Sequence, residues 1–240
     1  LMALSFVYII PHFGSEGGFA ALGFTTLLGL GAAALAPNFY ADLPVNPDES
    51  GAPPLRGWWA LLATLLFTAA SGAVLVYLQP LSREAGLSAD VARTSLWVSL
   101  AAQVAGGFLA TALAGRIHWF TVFCFSTVLF ISGWITLTLH PAAWLFIAAN
   151  GWIGLVIVLI GPFLVPMTIE ADPSRRTAMQ SGATQLLAGA LGPLLASFIV
   201  SDADVYGAVW LGTGLILSGL VLMGALHITA LRARKKLLAV

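Results

Sequence analysis

Charge is what this sequence has least of. Asp, Glu, Lys and Arg make up 8% of its 240 residues, against about 25% in ordinary soluble domains. So little charge leaves no water-solvated surface, which excludes an ordinary soluble domain. The basic and acidic residues cancel to a net charge of zero. No segment combines a basic patch with interleaved aromatics, so no nucleic-acid partner is expected. Cysteine is nearly absent. Cys124 stands alone, which excludes an internal disulfide and a cysteine metal cluster, and in its apolar run it reads as a small buried hydrophobe. There is no paired-histidine zinc motif, serine elbow or pair of facing carboxylates, so the chain is read as a non-enzyme with no catalytic residues, no metal and no cofactor. No basic stretch and cleavage site precede the first apolar run, so that run is not a signal peptide. The chain opens with Leu1 inside an apolar run; the expectation is that the N-terminal part of a longer protein is missing.

What the sequence does have is apolar length. Hydrophobic residues make up 59% of the chain, and the mean hydropathy is +0.95. A helix needs about 20 consecutive apolar residues to cross the hydrocarbon. Seven stretches qualify: Gly17–Ala36, Trp58–Leu78, Val91–Ala114, Trp119–Leu139, Ala142–Met167, Ala178–Val200 and Gly207–Leu231. Leu1–Ile10 reads as the end of a further span. The expected fold class is an all-α membrane protein, a polytopic transmembrane helix bundle. Punctuation agrees: Pro37-Asn38 ends the first span, a linker with Pro44, Pro47, Asp48, Glu49, Pro53 and Pro54 follows, and Pro80 closes the second span. Ser88-Ala89-Asp90 offers an N-cap, His140-Pro141 a tight turn, and Asp172-Pro173-Ser174 and Ser201–Asp204 two interruptions.

Lysine and arginine stay on the cytoplasmic side of short loops. With alternating spans, Arg56, Arg116, Arg175, Arg176, Arg232, Arg234, Lys235 and Lys236 share one side, and Arg83 and Arg93 the other. That bias places the linker and the C-terminus in the cytoplasm, and Glu16, Asp90, Asp202 and Asp204 outside.

Helices in lipid associate through small residues and interhelical hydrogen bonds, because lipid tails are as apolar as leucine. The third span sets Ala102, Gly106, Ala110 and Ala114 on one face, and the sixth repeats the device with Thr184, Ala188, Gly192 and Ala196. Gly161-Pro162 and Pro166 interrupt the fifth span, and Gly192-Pro193 the sixth. Interior prolines remove a hydrogen bond and bend the axis; such bends serve either static packing or the rocking of a bundle between two states. Polar residues within spans are few: Thr68, Ser71, Gln79, Gln103, Asn150, Ser181 and Gln185. Each reads either as interhelical glue or, taken as a set, as the lining of a polar cavity. His227 reads as interfacial rather than as a proton relay. No Asp, Glu, Lys or Arg falls mid-span, where proton and ion pathways usually mark themselves.

The order of spans, with a Pro-rich linker after the first full one and six more beyond, resembles the C-terminal half of a major facilitator superfamily transporter. Local sequences carry the resemblance. Gln79-Pro80-Leu81-Ser82-Arg83-Glu84-Ala85-Gly86-Leu87-Ser88 resembles the outer end of the family's seventh helix and the loop after it. Gly107 through Arg116 resembles a worn copy of the family's loop signature, with Ala114-Gly115 where an aspartate is preferred. Asp172-Pro173-Ser174-Arg175-Arg176, followed by Gly189–Ala196, resembles the tenth-to-eleventh loop and the opening of the eleventh helix.

The resemblance implies the end of an N-terminal helix bundle over 1–36, a cytoplasmic linker over 37–57, a C-terminal six-helix bundle over 58–231 and a basic cytoplasmic tail over 232–240. It implies a secondary active transporter of a small organic solute, working by alternating access with proton or sodium coupling. The second, third, fifth and sixth full spans would line its cavity, with Gly161, Pro162, Gly192 and Pro193 as gating kinks and Arg116, Asp172, Arg175 and Arg176 in cytoplasmic loops. The partners expected are the lipid bilayer of a bacterial inner membrane, the solute and the missing N-terminal half. The sparse polarity favours an apolar or aromatic solute. A seven-span receptor and a non-transporting scaffold are the alternatives. A retinal-type receptor is excluded, since Lys235 and Lys236, the only lysines, lie in the tail.

Overall fold

The structure, a computed structural model, describes residues 9–34, 51–201 and 204–238. No strand occurs among the described residues, only an isolated bridge between Ser201 and Asp204. The chain divides into two units, Leu1–Pro47 and Asp48–Val240. Residues 1–8 of the expected partial span, 35–36 at the end of the first full span, 37–50 of the linker, 202–203 of the last interruption and 239–240 of the tail lie outside the described residues.

In the first unit, α1 spans Ile10–Ala34; it starts before the expected Gly17 and is not among the helices that qualify as membrane spans by length and composition. Gly14 interrupts its regularity with a φ of 68°, a left-handed conformation that glycine adopts without a Cβ penalty.

The second unit contains α2 (Leu55–Leu75), α3 (Leu78–Glu84), α4 (Ala89–Leu113), α5 (Trp119–Thr138), α6 (Ala143–Leu159), α7 (Gly161–Ala171), α8 (Arg176–Ser197) and α9 (Gly207–Leu238). Four of these helices, α2, α4, α5 and α9, are long and apolar enough to cross a membrane. The pair α6–α7, bent by 40° at its break, makes a fifth where it is counted as one span. Large side chains such as Phe108, Phe125, Val128, Trp144 and Trp210 point outward, a surface that would aggregate in water but is solvated by lipid. The apolar helices point to an integral membrane protein. The expected sixth span is a helix, α8, but Gln180, Ser181, Thr184 and Gln185 in its first half make it too polar to qualify on composition alone.

Packing follows a reciprocal rule. Helix α2 lies chiefly against α8 and α9, whereas α6 lies against α4 and α5. Small residues make two close crossings. A Cβ on Gly106 of α4 would overlap the Leu155 carbonyl of α6, and one on Gly192 of α8 would overlap the Ala69 carbonyl of α2. Of the predicted stripes, Gly106, Ala110, Ala188, Gly192 and Ala196 are buried, while Ala114 is exposed. An aromatic core joins α2 to α5: Phe67 meets Phe123 edge-on at 5.0 Å and Phe130 at 6.1 Å.

Contacts sort the connectors onto two ends. Arg56 Nη2 donates to the Leu226 carbonyl (3.1 Å) and Arg176 Nη1 to the Ala52 carbonyl (3.2 Å), which brings the starts of α2 and α8 beside the later part of α9. At the other end Tyr206 and His140 share a hydrogen bond of 3.4 Å.

Three local expectations change. Pro80 does not close the second span: α2 already ends at Leu75, and Pro80 sits in the first turn of α3, where a missing N–H costs no helical bond. Ser88 occupies the N-cap position of α4, but its side chain makes no capping hydrogen bond. Gly192-Pro193 does not interrupt the sixth span: α8 runs through it, with Gly72 of α2 beside the proline ring and the Ala188 and Gly189 carbonyls. Gly161-Pro162 does mark a break, since Pro162 lies in the first turn of α7, while Pro166 lies inside α7 without ending it.

Candidate functional site

The polar residues within helices differ in burial. Asn150 is fully buried and Ser181 nearly so; Thr68, Ser71, Gln103 and Gln185 are half-buried, and Gln79 is exposed. Ser181 and Gln185 meet, with Gln185 Nε2 donating to Ser181 Oγ at 3.4 Å. Ser71 donates to the Thr68 carbonyl of its own helix. Asn150 Nδ2 likewise donates to the Phe146 carbonyl one turn back (2.9 Å), while its Oδ1 is buried without a hydrogen-bond partner. Asn150 is therefore not glue between helices. None of these seven residues lines either of the two cavities below.

A groove of about 450 Å³ runs between α2 and α8, with Trp58, Leu62, Leu65, Gln180, Thr184 and Leu187 in its walls. A larger cavity, about 680 Å³, opens at the Arg56 end of the bundle; Arg116, His118, Trp119, Pro162, Pro166 and Glu170 line it.

That second cavity borders a polar cluster of two histidines, a tryptophan and a glutamate. His118 is the N-cap of α5, and its Nδ1 accepts the Phe120 N–H at 3.2 Å. Trp119 Nε1 donates to Glu170 Oε2 at 2.6 Å. His118 Nε2 lies 3.6 Å from the same oxygen. His227 of α9 completes the group: its ring stacks on Phe120 at 4.8 Å and lies 4.7 Å from that of His118. Ligand atoms of His118, Glu170 and His227 all fall within 4.8 Å of one another. His227 thus packs against the His118 and Phe120 rings near the start of α5. His118 and Glu170 escape sequence reasoning because one lies in a connector and the other just beyond an expected span. The available signal was their common end under alternating spans.

The loop residues divide. Arg116 is exposed beside the cavity. Asp172 is buried and organises the α7–α8 turn: Oδ1 accepts from Ser174 N and Oγ, and Oδ2 from Thr177 N (3.0 Å) and Oγ1 (2.9 Å). Burial pushes the Asp172 pKa up, but the hydrogen bonds from Ser174 and Thr177 outweigh it and hold the carboxyl below its usual value. Asp172 supplies the cap that Arg175, left-handed at φ 65° and without a capping side-chain bond, does not.

No protein-family model and no curated protein matches this chain.

Proposed function

We propose that this chain is the second half of a secondary transporter of the major facilitator type, with α1 as the last helix of the first half, and that it carries a small organic solute by alternating access. The reciprocal packing supports this reading most. Taking α2, α4 and α5 as one set and α6–α7, α8 and α9 as another, the first member of each lies against the second and third members of the other. Equivalent members are three places apart in the order of spans, with two spans between them, so in this reading the sets run in opposite directions, as in the inverted repeats of such transporters. The Gly106–Leu155 and Gly192–Ala69 crossings are equivalent under that exchange. In this reading α8 is a sixth span of the half, its polar side chains tolerated because they face protein or a wet cavity. The Arg56 end faces the cytoplasm and the solute is apolar or aromatic.

Single cysteines introduced into the complete transporter after Cys124→Ser test the proposal. A cysteine at position 103 is expected to react from both faces of the membrane in turn and to be protected by the carried solute. One at position 175 is expected to react from the cytoplasm alone. Labelling of position 175 only from outside, or no change at position 103 with any solute, sinks the reading.

A further inference from the structure

We propose that His118, Glu170 and His227 bind a divalent metal ion of the zinc class at the Arg56 end of the helix bundle. The donor set is two imidazoles and a carboxylate, which suits zinc and its neighbours; magnesium and calcium prefer oxygen alone. Zinc bonds to these ligands are about 2.0–2.2 Å long, so tetrahedral donors sit roughly 3.3 Å apart. His118 Nε2 and Glu170 Oε2 are already 3.6 Å apart, and all three donors lie within 4.8 Å. Small side-chain rotations close the remaining gap, and His118, with 42% of its side chain exposed, has room to make them.

Two of the three ligands are held by neighbouring side chains. Ligating groups are oriented by outer partners: the Trp119 indole fixes the Glu170 carboxylate, and the Phe120 ring, tilted by 20°, lies flat against His227. Three protein donors leave a fourth position, and the adjoining cavity beside Arg116 and Pro166 gives a water or an entering ion space to reach it. Loading the ion on Nε2 moves the His118 proton to Nδ1. The exposed capping bond from Phe120 N is then given up to water. Because the ligands come from the start of α5, the end of α7 and the later part of α9, a bound ion ties three helices together. None of this depends on the transport reading.

Cobalt titration of the full chain in detergent, free of any histidine tag, tests the site. One equivalent of Co²⁺ is expected to give the visible absorption of a four-coordinate ion with imidazole ligands, to be displaced by Zn²⁺ and to be indifferent to Mg²⁺. His118→Ala, Glu170→Gln and His227→Ala should each abolish the band with helix content retained. Trp119→Phe, which removes only the carboxylate's donor, should weaken binding about 10–100-fold. No saturable Co²⁺ binding by the wild-type chain, or binding undiminished in the three ligand variants, overturns the proposal. The wild-type titration decides the matter even where a variant fails to fold.

Discussion

Trp119 and Glu170, 51 residues apart in the chain, are joined by a 2.6 Å hydrogen bond from the indole N–H to the carboxylate. It fastens the first residue of α5 to the last turn of α7. Hydrogen bonds to charged groups contribute about 1.5–3 kcal/mol. Trp119→Phe keeps most of the ring packing and removes the donor, so a loss of about that size is expected. Reversible unfolding in mixed micelles measures it; an unchanged midpoint would show that the bond contributes nothing.

The Gly192 crossing makes a sharper prediction. Gly192→Ala drives a methyl group into the Ala69 carbonyl, which is backbone and cannot swing aside. Overpacking of this kind costs about 1–3 kcal/mol. Gly189→Ala, on the same helix with nothing within 4 Å of the new methyl, should be neutral or stabilising by up to about 1 kcal/mol. Equal thermal stability of the two variants would contradict the close approach of α8 to α2.

Asn150 separates structure from function. Its amide bonds only to its own helix, and its buried Oδ1 has no partner. Replacing an unsatisfied polar group by an apolar one of similar shape is neutral or stabilising. Asn150→Leu should therefore fold at least as well as the wild type, by thermal midpoint, while, under the proposed function, lowering the apparent solute affinity of the complete protein. A variant that folds well and transports normally would remove Asn150 from the solute path.

Asp172 sets a pH dependence. Its folded pKa lies below the usual 3.8, so its stabilising contribution is complete above that value and is lost as pH falls through the lower folded value. Stability should decline on acidification below about pH 4, and Asp172→Asn should be less stable at neutral pH with a flatter acid limb. Parallel acid limbs for the two proteins would count against the carboxylate as the anchor of this turn.

Much of the helical order was legible because apolar length leaves little alternative: α2, α4, α5, α6–α7 and α9 lie where the greasy runs do. Details failed where geometry beats composition. Pro80 reads as a terminator, yet a proline in a first turn starts a helix as readily as it stops one. Pro193 reads as an interruption, but α8 continues through it, with Gly72 of α2 beside the ring and the neighbouring carbonyls. The cluster at the Arg56 end was only partly legible, since alternating spans give its residues a common end and nothing more. His118, Glu170 and His227 come from three distant segments, and hydropathy does not say which helix ends meet.

The reciprocal pairing also has a consequence for how the molecule is made. Helix α2 leaves the ribosome first among the helices of its unit, yet its main partners are α8 and α9. Gly192 follows Ala69 by about 120 residues, which at typical synthesis rates of about 5–20 residues per second is a wait of roughly 6–25 s. Throughout that interval the face of α2 destined for α8 borders lipid or the insertion machinery. A chain stalled before Gly192 would leave α2 without the partner its small-residue face is shaped to meet.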